Sequence, residues 1–153
     1  LQKGDFVTVD FGARLDGYCS DMTRTVVIGS ASPEQRRLYT AVLDALNSAI
    51  DAIRPGVKGK QIDALARQTI ESHGLGDYFV HSLGHSVGIA VHDGAGLSFR
   101  DKKPLEAGMV LTVEPGVYVP GFGGVRLEQM VLVTPDGCEL LTHAPVELRE
   151  CGQ

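Results

Sequence analysis

Residues 6–28 read Phe6-Val7-Thr8-Val9-Asp10-Phe11-Gly12-Ala13-Arg14-Leu15-Asp16-Gly17-Tyr18-Cys19-Ser20-Asp21-Met22-Thr23-Arg24-Thr25-Val26-Val27-Ile28, and how this stretch turns back on itself decides the fold. Phe6 to Phe11 alternates and is rich in β-branched and aromatic residues, the pattern of a strand. Asp16-Gly17 is a two-residue hairpin signal, because the turn that matches strand twist needs positive φ at both positions. Tyr18 to Ile28 is then the returning strand. With the turn at 16–17, paired positions sum to 33, so Asp10 faces Thr23 and Asp21 faces Gly12. Residues 10 and 12 share a face, which makes Asp10 and Asp21 diagonal neighbours on one side of the ribbon. Both carboxylates could touch one cation or a close pair. Two solvated aspartates near a turn would look the same, although Asp10 interrupts an apolar strand and a buried carboxylate needs a partner.

Outward from the hairpin, Ser32-Pro33-Glu34-Gln35 has the form of a helix capping box with proline at the first helical position. Leu38, Val42, Leu46, Ile50 and Ile53 follow at helical spacing, and Pro55-Gly56 stops the run. A second amphipathic helix carries Ile62, Leu65, Ala66, Thr69 and Ile70 and ends at Gly74. From Tyr78 onward the pattern predicts short strands broken by glycines, over roughly 78–92, 109–119 and 125–134. A hairpin, two helices and further strands give an α+β fold, with helices against a curved antiparallel sheet. No repeat or linker divides the chain, so one domain over residues 1–153 is expected.

Composition narrows the function classes. The 153 residues carry 14 basic and 19 acidic side chains, a net charge of −5. They form no basic cluster of the kind that binds nucleic acid through its phosphates. No apolar run approaches the ~20 residues of a membrane span, and no secretory signal is visible. Cys19, Cys138 and Cys151 are odd in number and lack CxxC spacing, which argues for a reducing cytoplasm and against a disulfide framework.

Two further clusters carry chemistry. His81-Ser82-Leu83-Gly84-His85 and His92 place three of the five histidines within twelve positions, among glycines. Spacing of four could align His81 and His85 on a helix, but Gly84 and Gly88 are poor helix residues and no glutamate stands at position 82. A strand would also keep both rings on one face. His73 and His143 read as ordinary structural or surface residues. Thr112-Val113-Glu114-Pro115-Gly116 and Arg126-Leu127-Glu128 set two acids in strongly apolar surroundings, where an unpaired carboxylate is costly. A local Arg126–Glu128 pair would account for Glu128 and leave Glu114 alone. Four carboxylates with one to three imidazoles suit manganese, cobalt, iron or zinc better than calcium. Their charge of about −4 matches two divalent ions.

Five stretches resemble the pita-bread (creatinase/aminopeptidase) metallopeptidases. They are Asp10-Phe11-Gly12-Ala13, Gly17 to Thr25, Gly84-His85-Ser86-Val87-Gly88, Val113-Glu114-Pro115-Gly116-Val117-Tyr118 and Gly124-Val125-Arg126-Leu127-Glu128. The match runs in order over nearly the whole chain. It implies a pita-bread fold in which Asp10, Asp21, His85, Glu114 and Glu128 hold two divalent metal ions, most simply manganese, with Asp21 and Glu128 bridging. Glu114 would act as general base, His92 as donor to the oxyanion, and His81 and Arg126 as residues holding the proline side of the substrate. Glu-Pro-Gly-Val-Tyr and the arginine two before the last glutamate resemble the proline-specific branch, aminopeptidase P and prolidase. The implied reaction is hydrolysis of Xaa–Pro bonds in short peptides with proline at the second position, by a cytoplasmic homodimer.

Two departures qualify this picture. Gln129 stands where the family commonly has an acidic residue, which alters the contact behind the last ligand. The family's further substrate-side histidine lies on a segment that would precede Leu1. The chain is therefore expected to be the C-terminal part of a catalytic domain, incomplete at its N-terminal half. A binding or scaffold module without turnover is the competing expectation, as is a fragment that is inactive alone.

Overall fold

The hairpin forms with the register its turn dictates. In the computed structural model, which describes residues 1–152, β1 (Phe6–Phe11) pairs antiparallel with β4 (Met22–Ile28), placing Asp10 opposite Thr23. The hairpin tip, β2 (Arg14–Leu15) and β3 (Tyr18–Cys19), keeps the same sum of 33, with Leu15 opposite Tyr18. Asp16 and Gly17 both have positive φ, 50° and 90°, as a tight twisted turn requires. The ladder is interrupted between these two pieces, and Asp21 lies in the interruption.

Helix α1 (Pro33–Ala52) starts at the expected box: the Gln35 amide donates to Ser32 Oγ at 3.2 Å and the Ser32 amide donates to Gln35 Oε1 at 2.9 Å. Leu38, Val42, Leu46 and Ile53 are buried and Ile50 is half-buried. Helix α2 (Gly59–Ser72) buries Ile62, Ala66 and Ile70 against α1, and Leu65 and Thr69 flank that seam. Gly74 closes it with φ 71°.

The remaining strands are short. They are β5 (Gly84–His85), β6 (Gly96–Leu97), β7 (Val110–Val113), β8 (Gly116–Val119), β9 (Gly123–Arg126), β10 (Gln129–Val133), β11 (Cys138–Leu140) and β12 (Arg149–Cys151). They assemble as β1-β4-β12, β11-β10-β7 and three two-stranded pieces, with β12 parallel to β4 and every other pairing antiparallel. The expected curved sheet is thus divided into small sheets. Residues 78–92, expected as a strand, contribute only β5; their other backbone bonds run to scattered partners, such as Ser86 to Ala95, Val87 to Val110 and Leu83 to Glu114, rather than along one ladder.

The division serves the site. Asp21, Glu114 and Glu128 all sit at breaks between strands, where the chain turns a side chain inward without continuing a ladder. The core packs α1 on β7, β8 and β9, with α2 against α1, through Leu38, Leu46, Ile62, Leu111, Val117 and Val125. Cys19, Cys138 and Cys151 are free thiols, and no described helix is long and apolar enough to cross a membrane.

Candidate metal centre

Asp21, His85 and Glu128 come from the hairpin, the β5 turn and the β9–β10 junction, yet one donor atom from each lies within 4.8 Å of the others. His85 Nε2 is 3.6 Å from Asp21 Oδ2 and 3.3 Å from Glu114 Oε1. Its Nδ1 lies 3.2 Å from the Ser86 carbonyl, which accepts the ring's N–H. That bond selects the tautomer whose Nε2 lone pair faces the carboxylates, as a metal-binding imidazole needs.

Glu128 is 1% exposed. Thr23 Oγ1 donates to its Oε2 at 2.6 Å, while Oε1 is buried with no hydrogen-bond partner among the described residues. A buried carboxylate oxygen without a partner, on a residue clustered with an imidazole and another acid, is costly unless a cation joins them. These residues fit a divalent metal. Electrostatics agree: burial, with Glu114, Asp21 and Asp10 nearby, pushes the Glu128 carboxyl up to about 8. Burial also lifts Glu114 to about 7 and raises Asp21, whose second cause is the Asp10 charge.

Glu114 is oriented from below. The buried Thr112 hydroxyl donates to Glu114 Oε1 at 3.1 Å and accepts the His85 amide at 2.9 Å, so one side chain aligns two members of the cluster. Asp10 stands apart from the tight trio. It is half exposed, and its Oδ2 accepts from Arg126 Nη2 at 2.5 Å.

Arg126 does not pair with Glu128. Besides Asp10 it donates from Nη1 to the Tyr118 hydroxyl at 3.0 Å and from Nε to Thr23 Oγ1 at 3.4 Å, and it lies 4.0 Å from Glu114 Oε2. The Tyr118 hydroxyl in turn donates to His81 Nε2 at 3.1 Å, while His81 Nδ1 donates to the Ser82 carbonyl at 2.8 Å. A polar chain therefore runs Asp10–Arg126–Tyr118–His81. Burial pushes the His81 pKa down, which favours the neutral ring this chain requires. Gly116 makes the junction possible, since a Cβ there would lie 2.8 Å from the Tyr118 oxygen and 3.0 Å from His81 Nε2.

His92 is exposed, with its ring centroid 3.9 Å from that of His85. A cleft of about 460 Å³ is lined by His81, His85, His92, Glu114 and Arg126. A second, of about 800 Å³, opens on Asp10, Asp21 and His92. Every predicted site residue thus borders one of these clefts or, in the case of Glu128, the buried trio. Behind the trio, Gln129 Oε1 accepts from Arg24 Nη2 at 2.9 Å and from the Thr142 hydroxyl, so the neutral amide still anchors that strand. Sequence reasoning had assigned no role to Thr23, Thr112 or Tyr118. Tyr118 and Thr23 had a signal in their places within the Val113–Tyr118 and Gly17–Thr25 stretches, and Thr112 had none.

The signature of Metallopeptidase family M24 matches residues 1–135. The chain is 46% identical over 148 residues to the Xaa-Pro dipeptidase of Pyrococcus furiosus, covering 97% of this chain and 42% of that protein. Among solved structures it resembles an Xaa-Pro dipeptidase from Bacillus anthracis, with TM-score 0.96 and 46% identity over 99% of this chain and 42% of that one. An Escherichia coli aminopeptidase P solved with substrate matches with TM-score 0.88 and 30% identity, over 96% of this chain and 40% of that one. The fold is the α+β pita-bread fold of these peptidases. The chain spans about two fifths of the length of the relatives it matches.

Proposed function

This chain belongs to metallopeptidase family M24, and on that footing we propose that it carries the metal centre of a peptidase hydrolysing Xaa–Pro bonds in short peptides. The observation that carries the reading is the convergence of Asp21, His85 and Glu128 with Glu128 Oε1 buried and unpartnered. Asp10, Asp21, His85, Glu114 and Glu128 are the residues that would hold two divalent cations. Asp10 spends Oδ2 on Arg126 and keeps Oδ1 for an ion. Oxygen donors with a single imidazole suit manganese first, then cobalt, iron or zinc. When bound, such cations supply Lewis acidity, acidifying water and polarising a carbonyl.

The protein's own groups then divide the work. Glu114, gripped by Thr112, takes the proton from the attacking water and returns it to the departing proline nitrogen. His92, exposed beside His85, donates to the oxygen that gains charge as the bond breaks. Both His81 nitrogens are occupied, so it offers the substrate its ring rather than a free donor. Arg126, also held by Tyr118 and Asp10, keeps a positive charge beside the cleft. The relatives are called dipeptidases and, in one case, an aminopeptidase P, which supports proline at the second position of the substrate.

The test is hydrolysis by the full natural polypeptide. Peptides with proline second should be cleaved at the bond before it, with activity lost to a chelator and restored by manganese. Equal cleavage of peptides lacking proline, or activity indifferent to chelation, contradicts the proposal.

A further inference from the structure

Outside the site, one turn of α2 makes an arrangement that an ordinary surface ion pair does not need. Asp63 is 1% exposed, and its carboxylate accepts from Arg67 Nε at 2.9 Å, Arg67 Nη2 at 3.3 Å and the Leu83 amide at 3.2 Å. The Arg67 guanidinium, fixed by that acid, donates from Nη1 to the Phe79 carbonyl at 2.8 Å and from Nη2 to the His81 carbonyl at 2.5 Å. Its plane also lies over the Phe79 ring, 4.3 Å from the centroid, and that ring packs edge-on against the His81 imidazole at 5.1 Å.

The pair thus grips residues 79, 81 and 83 of a segment that has no ladder of its own. His81 is the middle one, and its ring is the end of the chain from Arg126 through Tyr118. A guanidinium is suited to this, since its planar fork can meet a carboxylate on one side and carbonyls on the other. Lysine has neither the fork nor the flat face.

We infer that Asp63 and Arg67 form a positioning brace that holds His81 in the cleft, and that they govern turnover through His81 without touching substrate or metal. This rests on the peptidase reading above. A displacement of about 1 Å in such a group can cost on the order of 10²-fold in rate.

The test is a double-mutant cycle in the metal-loaded full natural polypeptide. Arg67→Met and Asp63→Asn should each lower kcat/KM for an Xaa–Pro peptide by on the order of 10²-fold, with metal content unchanged. Arg67→Lys should fail to rescue, and it serves as the test variant if Arg67→Met does not fold. In a His81→Ala background, the Arg67 substitution should cost no more than about two-fold, since the group it positions is gone. An undiminished loss in that background, or loss of metal, overturns the brace. If the unsubstituted protein cleaves no Xaa–Pro peptide, the peptidase reading fails separately. NMR then decides the brace without substrate: the Arg67 variants must shift or broaden the His81 ring signals and spare those of His143, and unchanged His81 signals overturn it.

Discussion

Thr23 donates its hydroxyl to Glu128 across 105 positions of sequence, at 2.6 Å, in a part of the protein closed to solvent. The bond ties the hairpin that carries Asp10 and Asp21 to the junction that carries Glu128. Among the described residues it is also the one hydrogen bond that the Glu128 carboxyl receives, because Oε1 has none. Thr23→Val keeps the shape and deletes the donor. It should cost about 1.5–3 kcal/mol, the range for hydrogen bonds to charged groups, read by urea denaturation of the metal-loaded protein. It should also weaken metal binding. Unchanged stability and affinity would mean the link is incidental.

Metal-free protein should lose stability as pH rises. Burial and neighbouring acids lift Glu114 to about 7 and Glu128 to about 8 in the folded state, above their ordinary value of 4.5. The folded state then binds more protons than the unfolded one between these limits. The stabilisation is complete below the ordinary value and disappears as pH passes through 7 and 8. Urea midpoints in chelator should therefore fall between about pH 5 and about pH 9, and manganese should flatten the decline. Midpoints that rise over this interval contradict the burial of these carboxyls.

Glu128→Gln follows from the same imbalance with an opposite sign for two readouts. The variant should lose metal, because the amide is a poor ligand, yet in chelator at about pH 9 it should be at least as stable as the parent. Gln129→Ala should retain more metal than Glu128→Gln, as Gln129 meets only Arg24 and Thr142. Equal metal loss in the two would remove Glu128 from the ligand set.

Gly116→Ala places a methyl between Tyr118 and His81. Overpacking of this kind costs about 1–3 kcal/mol. Turnover should fall with metal content retained, since neither displaced side chain belongs to the trio. Loss of metal on this change, measured by elemental analysis, would show that the polar chain and the metal centre are not separable.

The hairpin was legible because its determinants are local: Asp16-Gly17 sets the turn, and the turn sets which residue faces Asp10. The start of α1 was legible for the same reason, since Ser32 and Gln35 satisfy each other's amides. Residues 78–92 misled because their glycines and histidines are compatible with a strand, while what holds them is remote. Arg67 grips the segment from a helix, and Thr112 reaches it from β7. On the sequence, Asp63 and Arg67 are an unremarkable pair four apart in a helix. The four acids stood out against apolar runs and the histidines by their clustering among glycines, whereas Thr23 and Thr112 did not, because threonine is at home in any strand. Tyr118 sat within a recognised stretch, but its bonds to Arg126 and His81 depend on tertiary approach.

Metal stoichiometry, joined to a melting curve, tests the central claim most directly. Asp21, Glu114 and Glu128 crowd His85 with Asp10 nearby, and on the proposed ligand set the protein should take up about two divalent ions per chain. Removing them should lower the melting midpoint by about 10 °C, given linkage of about 4 kcal/mol when free metal is roughly 1,000 times its dissociation constant. A folded protein that binds no manganese, with the same midpoint in chelator as in metal, would contradict the account.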